Sequence, residues 1–312
     1  MRRPTVAARG MALLLALGLT VACGSDGDTD GGPSPTAGPG GRPLEWGGAR
    51  GEGDRLEVVR STGSAPRQVA TQTVTARPSD FAYDDGTAHV GFCCEGGVGR
   101  LLSADVRVAQ PKLAARGEAM RIDLAAGWSV LVDAAGGYTV GPSDDRDAYQ
   151  QTGVGATDAA LRGNDARRLA TLIDPARVRK IAGAVAPGAQ RVRVEERDDA
   201  GAWKQLAEVP LPTDRQYCGV VWVGTDRIGL VKGELDPGDP LFCVGRVMDF
   251  YTVGVNRLDV DGVVFDAPVV HLNVDSSSTF LIFVTVTGSV EWMTLDGRAG
   301  ELAEGGYVAA DW

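Results

Sequence analysis

Short apolar runs recur from about Leu44 to the end of the chain, and each is followed by a turn rich in glycine or aspartate. Some of these runs alternate apolar and polar residues, and others are continuously apolar. Both patterns are typical of β-strands, and the roughly 270 residues concerned contain no long amphipathic helix pattern. The chain therefore predicts an all-β protein built from hairpins.

The spacing of the hairpins predicts a repeat. Their first turns lie near residues 86, 127, 188, 225 and 277, a mean spacing of about 48 residues. Repeats of about 40 to 50 residues, each a small antiparallel sheet, are typical of a β-propeller, because one such sheet cannot bury its faces alone. We expect a propeller over residues 44–312, with six blades favoured and five to seven compatible with the length. A large β-sandwich, or two small β-domains, is the alternative.

One interval between hairpins is longer than the others and contains residues 141–178. We expect an insertion here on one face of the propeller, where binding specificity is commonly carried. A short helix is predicted over Asn164–Ile173, capped by Asn164 and ended before Pro175. A degenerate blade or a poorly ordered loop is the alternative for this interval.

The first 43 residues differ from the rest of the chain. Three arginines precede an apolar run of twelve residues, which spans about 18 Å as a helix and cannot cross a hydrocarbon core of about 30 Å. This pattern predicts a signal peptide over residues 1–22. Residues 23–43 are rich in Gly, Pro and Asp, which predicts a flexible tether.

The end of the apolar run, Leu19-Thr20-Val21-Ala22-Cys23, resembles the bacterial lipobox. The resemblance implies that Cys23 becomes the first mature residue and carries a lipid. We therefore expect the protein to be lipid-anchored at the extracytoplasmic face of the cell membrane. A simple secretory signal cleaved nearby, with Cys23 as an odd thiol, is the alternative.

Composition narrows the choice of partners. The chain has 41 acidic and 31 basic side chains, a formal net charge of −10, which argues against nucleic acid because phosphate binding needs a basic face. Residues 26–31 match the first half of a calcium loop, but the twelfth position is Ala37 and no helix flanks the match. We expect no metal and no cofactor, and a monomer.

Two stretches resemble a known group of proteins. The stretch from Asp84 through Val90–Glu95 to Leu101, and the tail from Asp275 to Trp312, are similar to blades of secreted actinobacterial propellers of the TolB-like or WD40-like kind. The resemblance covers about a fifth of the chain. It implies a six-bladed propeller and secretion, and it implies no activity, because propellers carry many functions.

The cysteines predict disulfides. Four remain besides Cys23, and an even number outside the cytoplasm is typical of a disulfide framework. Cys218 and Cys243 lie about 25 residues apart in one predicted blade and are suited to a bridge. Cys93 and Cys94 would then form a vicinal bridge or remain thiols, and cross-pairing between blades stays open.

Candidate chemistry is sparse. Neither a nucleophile elbow nor a Walker loop nor an H-E-x-x-H motif is present, and no catalytic residue is predicted. The two histidines, His89 and His271, lie inside predicted strands, where a structural role is expected. The exposed acidic residues that we expect in binding loops are Glu95, Asp144, Asp145 and Asp147.

Two functions are compatible with these features. The first is a non-enzymatic lipoprotein whose propeller binds, or acts as a scaffold for, a protein or glycan of the cell envelope. The second is an extracytoplasmic hydrolase or lyase that uses the funnel at the centre of the propeller. The second requires two carboxylates, or a histidine and a carboxylate, to converge in that funnel.

The lipid anchor can be tested directly. Mass spectrometry of the protein purified from its host membranes should show a mature N-terminal peptide that begins at a diacylated Cys23. The variant Cys23→Ala should lose the lipid and leave the membrane fraction. An unmodified Cys23 inside a longer chain would refute the anchor.

Overall fold

The computed structural model describes residues 45–312, apart from residues 53, 63–64, 85, 96–97, 184–187, 237–238 and 240 and the side chains of 52, 94, 95 and 261. The predicted signal peptide, the predicted tether and Cys23 lie outside the described residues. Within the described part of the chain, no helix is both long enough and apolar enough to span a membrane.

The described residues form strands that pair into antiparallel sheets. The strands of the first half are β1 (Glu45–Glu52), β2 (Arg55–Thr62), β3 (Arg67–Thr73), β4 (Pro78–Asp84), β5 (Thr87–Glu95), β6 (Val98–Asp105), β7 (Ala114–Gly117), β8 (Arg121–Ala125), β9 (Trp128–Val132), β10 (Tyr138–Pro142) and β11 (Gln150–Gly153). The second half contains β12 (Ala156–Leu161), β13 (Arg168–Ile173), α1 (Pro175–Ala182), β14 (Arg191–Arg197), β15 (Trp203–Pro210), β16 (Tyr217–Val223), β17 (Arg227–Leu235), β18 (Cys243–Thr252), β19 (Arg257–Val274), β20 (Phe280–Thr285), β21 (Val290–Thr294), β22 (Ala299–Ala303) and β23 (Tyr307–Asp311).

These strands make six four-stranded blades. Blades 2, 3 and 4 are β4 to β7, β8 to β11 and β12 to β15, each in sequential order. Blades 5 and 6 share the long strand β19, whose N-terminal half pairs with β18 and whose C-terminal half pairs with β20. The predicted all-β propeller is confirmed.

The two ends of the described chain meet in blade 1. Its strand order is β23, β1, β2, β3, so the last strand of the protein lies innermost and residues 45–73 supply the three outer strands. The register pairs Gly47 with Asp311 and Gly48 with Ala310. This pairing closes the ring and leaves no gap between the first and last blades.

The innermost strands surround the central axis. Each contacts the innermost strands of the two neighbouring blades, in the closed order β23, β4, β8, β12, β16, β19 and back to β23. Burial decreases outwards, since β4 is buried at every position but its last and β7 is exposed at all four. Inner strands are covered on both faces by adjacent blades, which explains why several are apolar without alternation.

The apolar core lies between the blades. Six clusters of buried side chains are found in the described residues. Five of them join two adjacent blades, and the cluster between blades 3 and 4 also includes Cys93 of blade 2. Between blades 5 and 6, for example, Met248 and Phe250 pack with Phe283. No single sheet buries its own faces, so the blades depend on one another for stability.

The turns follow the glycine pattern of the sequence. The hairpin between β8 and β9 turns through Ala126 and Gly127, with φ of 47° and 75°. Both residues have positive φ, as in the type I′ turns that match the twist of a two-residue hairpin. The predicted turn at this position is confirmed.

Residues 141–178 are not an insertion, contrary to the sequence-based expectation. They contain the end of β10, the outer strand β11 of blade 3 and the strands β12 and β13 of blade 4. The segment is therefore regular blade structure. The long interval in the predicted spacing arises because the turn near residue 188 lies in the connection between β13 and β14, the second connection of blade 4. The first connection of that blade, between β12 and β13, is residues 162–167.

The predicted helix over Asn164–Ile173 is also wrong. Residues from Leu169 to Ile173 are buried on both faces of β13, between blades, which favours a strand. The helix follows instead: Asp174 is its N-cap and accepts a hydrogen bond from the Arg177 backbone N–H (3.0 Å), and Pro175 occupies the first turn. Proline in that position begins a helix rather than ending one.

The cysteines pair as one of the predicted alternatives. Cys218, on the innermost strand β16, forms a disulfide with Cys243 at the start of β18, with a Cα–Cα distance of 5.8 Å. Cys93 is disulfide-bonded as well, and the side chain of Cys94 lies outside the described residues. Cross-pairing of Cys218 or Cys243 with the Cys93 region is therefore excluded.

Removing this bridge should destabilise the propeller. Replacing Cys218 and Cys243 together by alanine frees a loop of 25 residues, and loop-closure entropy predicts a loss of roughly 3 to 4 kcal/mol in the free energy of unfolding. Urea unfolding measures this change, and reductant should destabilise the wild type more than the double variant. A loss below about 1 kcal/mol would show that the bridge carries little of the stability.

Candidate functional site

The innermost strands enclose a central channel with a cavity of about 440 Å³. This is the volume range of sites that hold small ligands or a short segment of chain. Lining residues at the C-terminal ends of the innermost strands include Asp84, Ser276 and Trp312, and Arg121 and Cys218 lie at the N-terminal ends. Ser276 is exposed, so the cavity meets solvent on that side.

The lining contains acidic and basic side chains from several blades. Its carboxylates are Glu45, Asp80, Asp84, Asp123, Asp158, Asp275 and Asp311. Its guanidinium groups are those of Arg60, Arg107, Arg121 and Arg177, and His271 joins them. Most of these positions lie on different blades, so only the closed ring brings them together.

Four of the carboxylates, Asp80, Asp123, Asp158 and Asp311, form what we call the aspartate ring. Each lies on an innermost strand and accepts a backbone N–H from the innermost strand of the next blade. The hydrogen bonds are Tyr83 N to Asp311 Oδ2 (2.8 Å), Ile122 N to Asp80 Oδ2 (2.8 Å), Leu161 N to Asp123 Oδ2 (2.6 Å) and Val220 N to Asp158 Oδ2 (2.8 Å). The aspartate ring thus links blades 1 to 5 in sequence.

His271 continues this pattern from blade 6. Its Nε2 lies 2.8 Å from Asp80 Oδ1, and its Nδ1 accepts the backbone N–H of Ala310 at 3.4 Å. An Nδ1 that accepts a hydrogen bond carries no proton, so the proton is on Nε2 and is donated to Asp80. The imidazole is buried and both of its nitrogens are engaged.

Burial sets the protonation of the aspartate ring. It raises the pKa of Asp123 to about 7, against the lowering effect of the Leu161 hydrogen bond and with a further increase from Asp80 and Asp158. It raises the pKa of Asp158 to about 6, although Arg121 and Arg177 favour the charged form. Burial likewise raises the pKa of Asp311 well above its ordinary value. Asp123 and Asp311 are therefore the carboxyl groups of the ring that hold protons near neutral pH.

The two deep arginines donate to backbone carbonyl oxygens. Arg121 Nη2 and Arg177 Nη2 both donate to the carbonyl oxygen of Leu241, at 3.0 and 2.9 Å, and Arg177 Nη1 donates to Cys218 O at 3.0 Å. Burial lowers the pKa of Arg177 to about 10, which leaves it charged at neutral pH. These contacts hold residues next to the disulfide against the channel wall.

Side chains near the C-terminal ends of the strands are also paired. Glu45 Oε1 accepts hydrogen bonds from Tyr83 Oη at 2.7 Å and from Arg60 Nη2 at 2.6 Å. Asn273 Nδ2 donates to Phe81 O at 3.3 Å. The polar lining is therefore preorganised by contacts within the protein.

The predicted binding residues lie elsewhere. Asp144, Asp145 and Asp147 are exposed in the connection between β10 and β11, where Asp145 accepts the Asp147 backbone N–H at 3.1 Å, and none lines the cavity. The side chain of Glu95 lies outside the described residues. No group of three His, Cys, Asp or Glu side chains in the described part of the chain could hold a metal ion.

His89 lies outside the channel lining, on β5. Its Nδ1 is 2.6 Å from Ser103 Oγ on the adjacent strand β6. Burial, together with Arg146 and Arg116, lowers the pKa of His89 to about 4, so the ring is neutral near pH 7. A neutral imidazole bonded across its own sheet fits a structural role.

The aspartate ring was not predicted, although the sequence contains a signal that could have indicated it. A single aspartate interrupts the apolar residues of β8 and β12, and aspartates also occur in β4 and at the end of β23. A charged residue inside a strand that is otherwise buried needs a hydrogen-bonding partner. Because such an aspartate recurs in the first strand of successive repeats, the sequence could have indicated that these aspartates share a position facing the axis.

Comparison with known proteins provides evidence on the fold. No family model and no curated protein matches the sequence. Among solved structures, the chain is similar to a chain in a crystal structure of a nidogen/laminin complex, with a TM-score of 0.54, 12% identity, and coverage of 86% of this chain and 97% of that one. It is also similar to TolB from Acinetobacter baumannii, with a TM-score of 0.53, 10% identity, and coverage of 86% of this chain and 66% of TolB.

These likenesses show a TolB-like β-propeller fold. At such low identity they show the fold alone, since unrelated functions are found on the same propeller architecture. The expected TolB-like architecture is confirmed on this ground. Lipidation and an actinobacterial source stay predictions from the sequence.

The aspartate ring should make stability fall as pH rises. A raised pKa in the folded state means that folding favours the protonated carboxyl, so stability is lost as pH rises from about 4 towards the folded pKa. For Asp123 the loss between pH 5 and pH 8 is on the order of 2 to 3 kcal/mol. Asp123→Asn keeps an oxygen for the Leu161 N–H and should lose less stability over this interval.

Denaturant unfolding at a series of pH values measures this difference. Asp105→Asn is the matched control, because Arg107 lowers the pKa of the exposed Asp105 carboxyl and its titration lies below pH 5. The control should follow the wild type between pH 5 and pH 8. Parallel curves for Asp123→Asn and the wild type would contradict the protonation assigned to the ring.

Proposed function

We propose that this protein is a lipid-anchored extracytoplasmic β-propeller that binds a protein or glycan of the cell envelope in its central channel. It acts as a binding or scaffold module, as a monomer, and without catalysing a reaction. The signal-peptide pattern and the lipobox-like sequence ending in Cys23 support the location.

The channel is the observation that carries the binding role. A cavity of about 440 Å³ opens to solvent beside Ser276, and its polar lining is held in place by hydrogen bonds between blades. A preorganised lining lowers the entropy cost of binding, because few groups must be ordered when the ligand arrives. A tether of about 20 residues would leave the propeller free to meet partners near the membrane.

His271 and Asp80 favour a second candidate, an extracytoplasmic hydrolase or lyase. They meet the sequence-based requirement that a histidine and a carboxylate converge in the funnel. A general base needs a nitrogen that can take a proton from the substrate or from water. In His271 one nitrogen donates to Asp80 and the other accepts from Ala310, which favours a structural histidine and the binding function.

Site-specific photo-cross-linking tests the binding role. A photoreactive residue at Ser276 in the full-length lipidated protein should cross-link a component of native host membranes. The same residue at Lys204, exposed on the outer strand of blade 4, is the matched control and should not. Cross-linking from Lys204 and not from Ser276 would place the partner on the outer face and refute the channel as the binding site.

The enzymatic candidate has a separate test. Isolated envelope material incubated with the wild-type protein should release no soluble fragments measurable by mass spectrometry. Release by the wild type that is lost in a folded His271→Gln variant would favour the hydrolase or lyase instead.

A further inference from the structure

Three of the six tryptophans are partly exposed in the structure, and these are Trp128, Trp203 and Trp312. The guanidinium carbon of Arg197 lies 3.6 Å from the ring centroid of Trp128 and 6.0 Å from that of Trp203. No cation covers Trp312 among the described residues, and Trp312 lines the central channel. Trp222 also lines it but is buried. Trp312 is therefore the tryptophan whose ring is available to a ligand in the channel.

The polar atoms of Trp312 are used within the protein. Its Nε1 donates to Phe280 O at 3.2 Å, and its backbone N–H donates to Asp311 Oδ1 at 2.9 Å. The Phe280 ring packs against the indole at an angle of 69°, with the two centroids 6.1 Å apart. These contacts fix the indole in place, so a ligand meets it as an apolar aromatic surface rather than as a hydrogen-bond donor.

The turn that follows β19 narrows the mouth of the channel on one side. A Cβ atom added to Gly163 of blade 4 would lie 3.0 Å from the Cα and the carbonyl oxygen of Ser276 of blade 6. The turn therefore reaches past blade 5 to the connection between β12 and β13. The rest of the mouth is bounded by the other blades. Trp312 lies there, directly after the innermost strand of blade 1.

Polar atoms that can accept a hydrogen bond from a ligand surround the mouth. Glu45 uses Oε1 for the contacts described above, and its Oε2 accepts no hydrogen bond from the described residues. Asn273 donates through Nδ2, and its Oδ1 has no donor in the described part of the chain. The hydroxyl groups of Ser276 and Ser278, which also line the cavity, form no hydrogen bond with described residues. The mouth thus combines one aromatic surface with several acceptors.

The charges deeper in the channel are counteracted within the protein. Asp123 and Asp311 hold protons near neutral pH, and Arg121 and Arg177 favour the charged form of Asp158. A ligand therefore needs no net charge to enter. Hydroxyl groups suit such a wall, because a hydroxyl can donate to a carboxylate and can also accept from a donor.

We propose that the mouth of the channel binds a neutral glycan, with a sugar ring stacked on Trp312 and hydroxyl groups bonded to Glu45 and Asn273. The proposal rests on the proposed function and selects the glycan from its two candidate partners. Sugar rings with equatorial substituents carry axial C–H groups on their faces, and the negative face of an indole attracts these hydrogens. The hydroxyl groups at the edge of the ring are donors for the acceptors of the mouth.

The test uses cellotriose and chitotriose as probes, each titrated calorimetrically into the full-length protein near pH 7. Both are neutral, β-linked oligosaccharides whose rings carry equatorial substituents. At least one should bind the wild type, and added salt should change its affinity little, because no ion pair forms. Sorbitol, an open-chain polyol without a ring face, should not bind. Absence of binding by both probes, or equal binding of sorbitol, would overturn the proposal.

Variants test the stacking surface. Trp312→Ala should weaken the bound probe by about tenfold or more, because the aromatic surface is lost, and Trp312→Phe should recover part of the affinity. Trp203→Ala is the matched control, since it removes a partly exposed tryptophan from the outer strand of blade 4, away from the cavity. It should leave the affinity unchanged. An undiminished affinity in folded Trp312→Ala would refute the site.

A measurement on the wild type keeps the proposal testable if Trp312→Ala does not fold. In a saturation-transfer NMR experiment, irradiation of the aromatic protons of the protein should transfer most strongly to the ring C–H protons of one sugar unit of the bound probe. Uniform transfer to all units would contradict stacking on Trp312.

Cross-linking at Ser276 separates this proposal from the proposed function. An excess of the probe that binds should suppress the cross-linked product, and prior protease treatment of the host membranes should not. A product that protease abolishes and the probe leaves unchanged would retain the channel as the binding site and refute the glycan. Probe binding without any cross-linked component would retain the sugar site and refute the envelope partner.

Discussion

A carboxylate oxygen that accepts a backbone N–H from the next blade is the interaction on which the centre of this protein depends. The innermost strands carry N–H groups that face the axis, where no further strand can pair with them. Asp311, Asp80, Asp123 and Asp158 satisfy one such group each and join five blades in sequence. The apolar clusters between blades supply the bulk of the burial, and these hydrogen bonds fix how adjacent blades meet along the axis.

The ring of contacts is completed by two different means. Between blades 6 and 1, His271 takes the place of an aspartate and accepts the Ala310 N–H. Between blades 5 and 6 no aspartate contact of this kind is found among the described residues, and there the single strand β19 belongs to both sheets. The continuous strand β19 therefore joins blades 5 and 6, where no aspartate hydrogen bond is found among the described residues. The pairing of β23 with β1 joins the two ends of the described chain within blade 1.

The same carboxylates have an electrostatic cost. Burial raises the pKa values of Asp123, Asp158 and Asp311, and neighbouring carboxylates add to the increase. The positive charges of Arg121 and Arg177 act against it at Asp158. The carboxyl groups that link the blades therefore also set the charge and protonation of the channel lining.

The sequence by itself determined most of the strands and turns and an all-β propeller for which six blades were favoured, and it included the Cys218–Cys243 bridge among three possible pairings. These features follow from local patterns, because the strands of a short antiparallel sheet are joined by tight turns and pair with their neighbours in sequence. It did not determine the helix, since RLATLI at 168–173 suits either structure until burial on two faces decides, and Pro175 can begin or end a helix. Nor did it reveal the channel: Asp80 and His271 lie 191 residues apart in the chain and meet only because the ring closes. Local periodicity specifies each blade, whereas closure decides which residues share the axis.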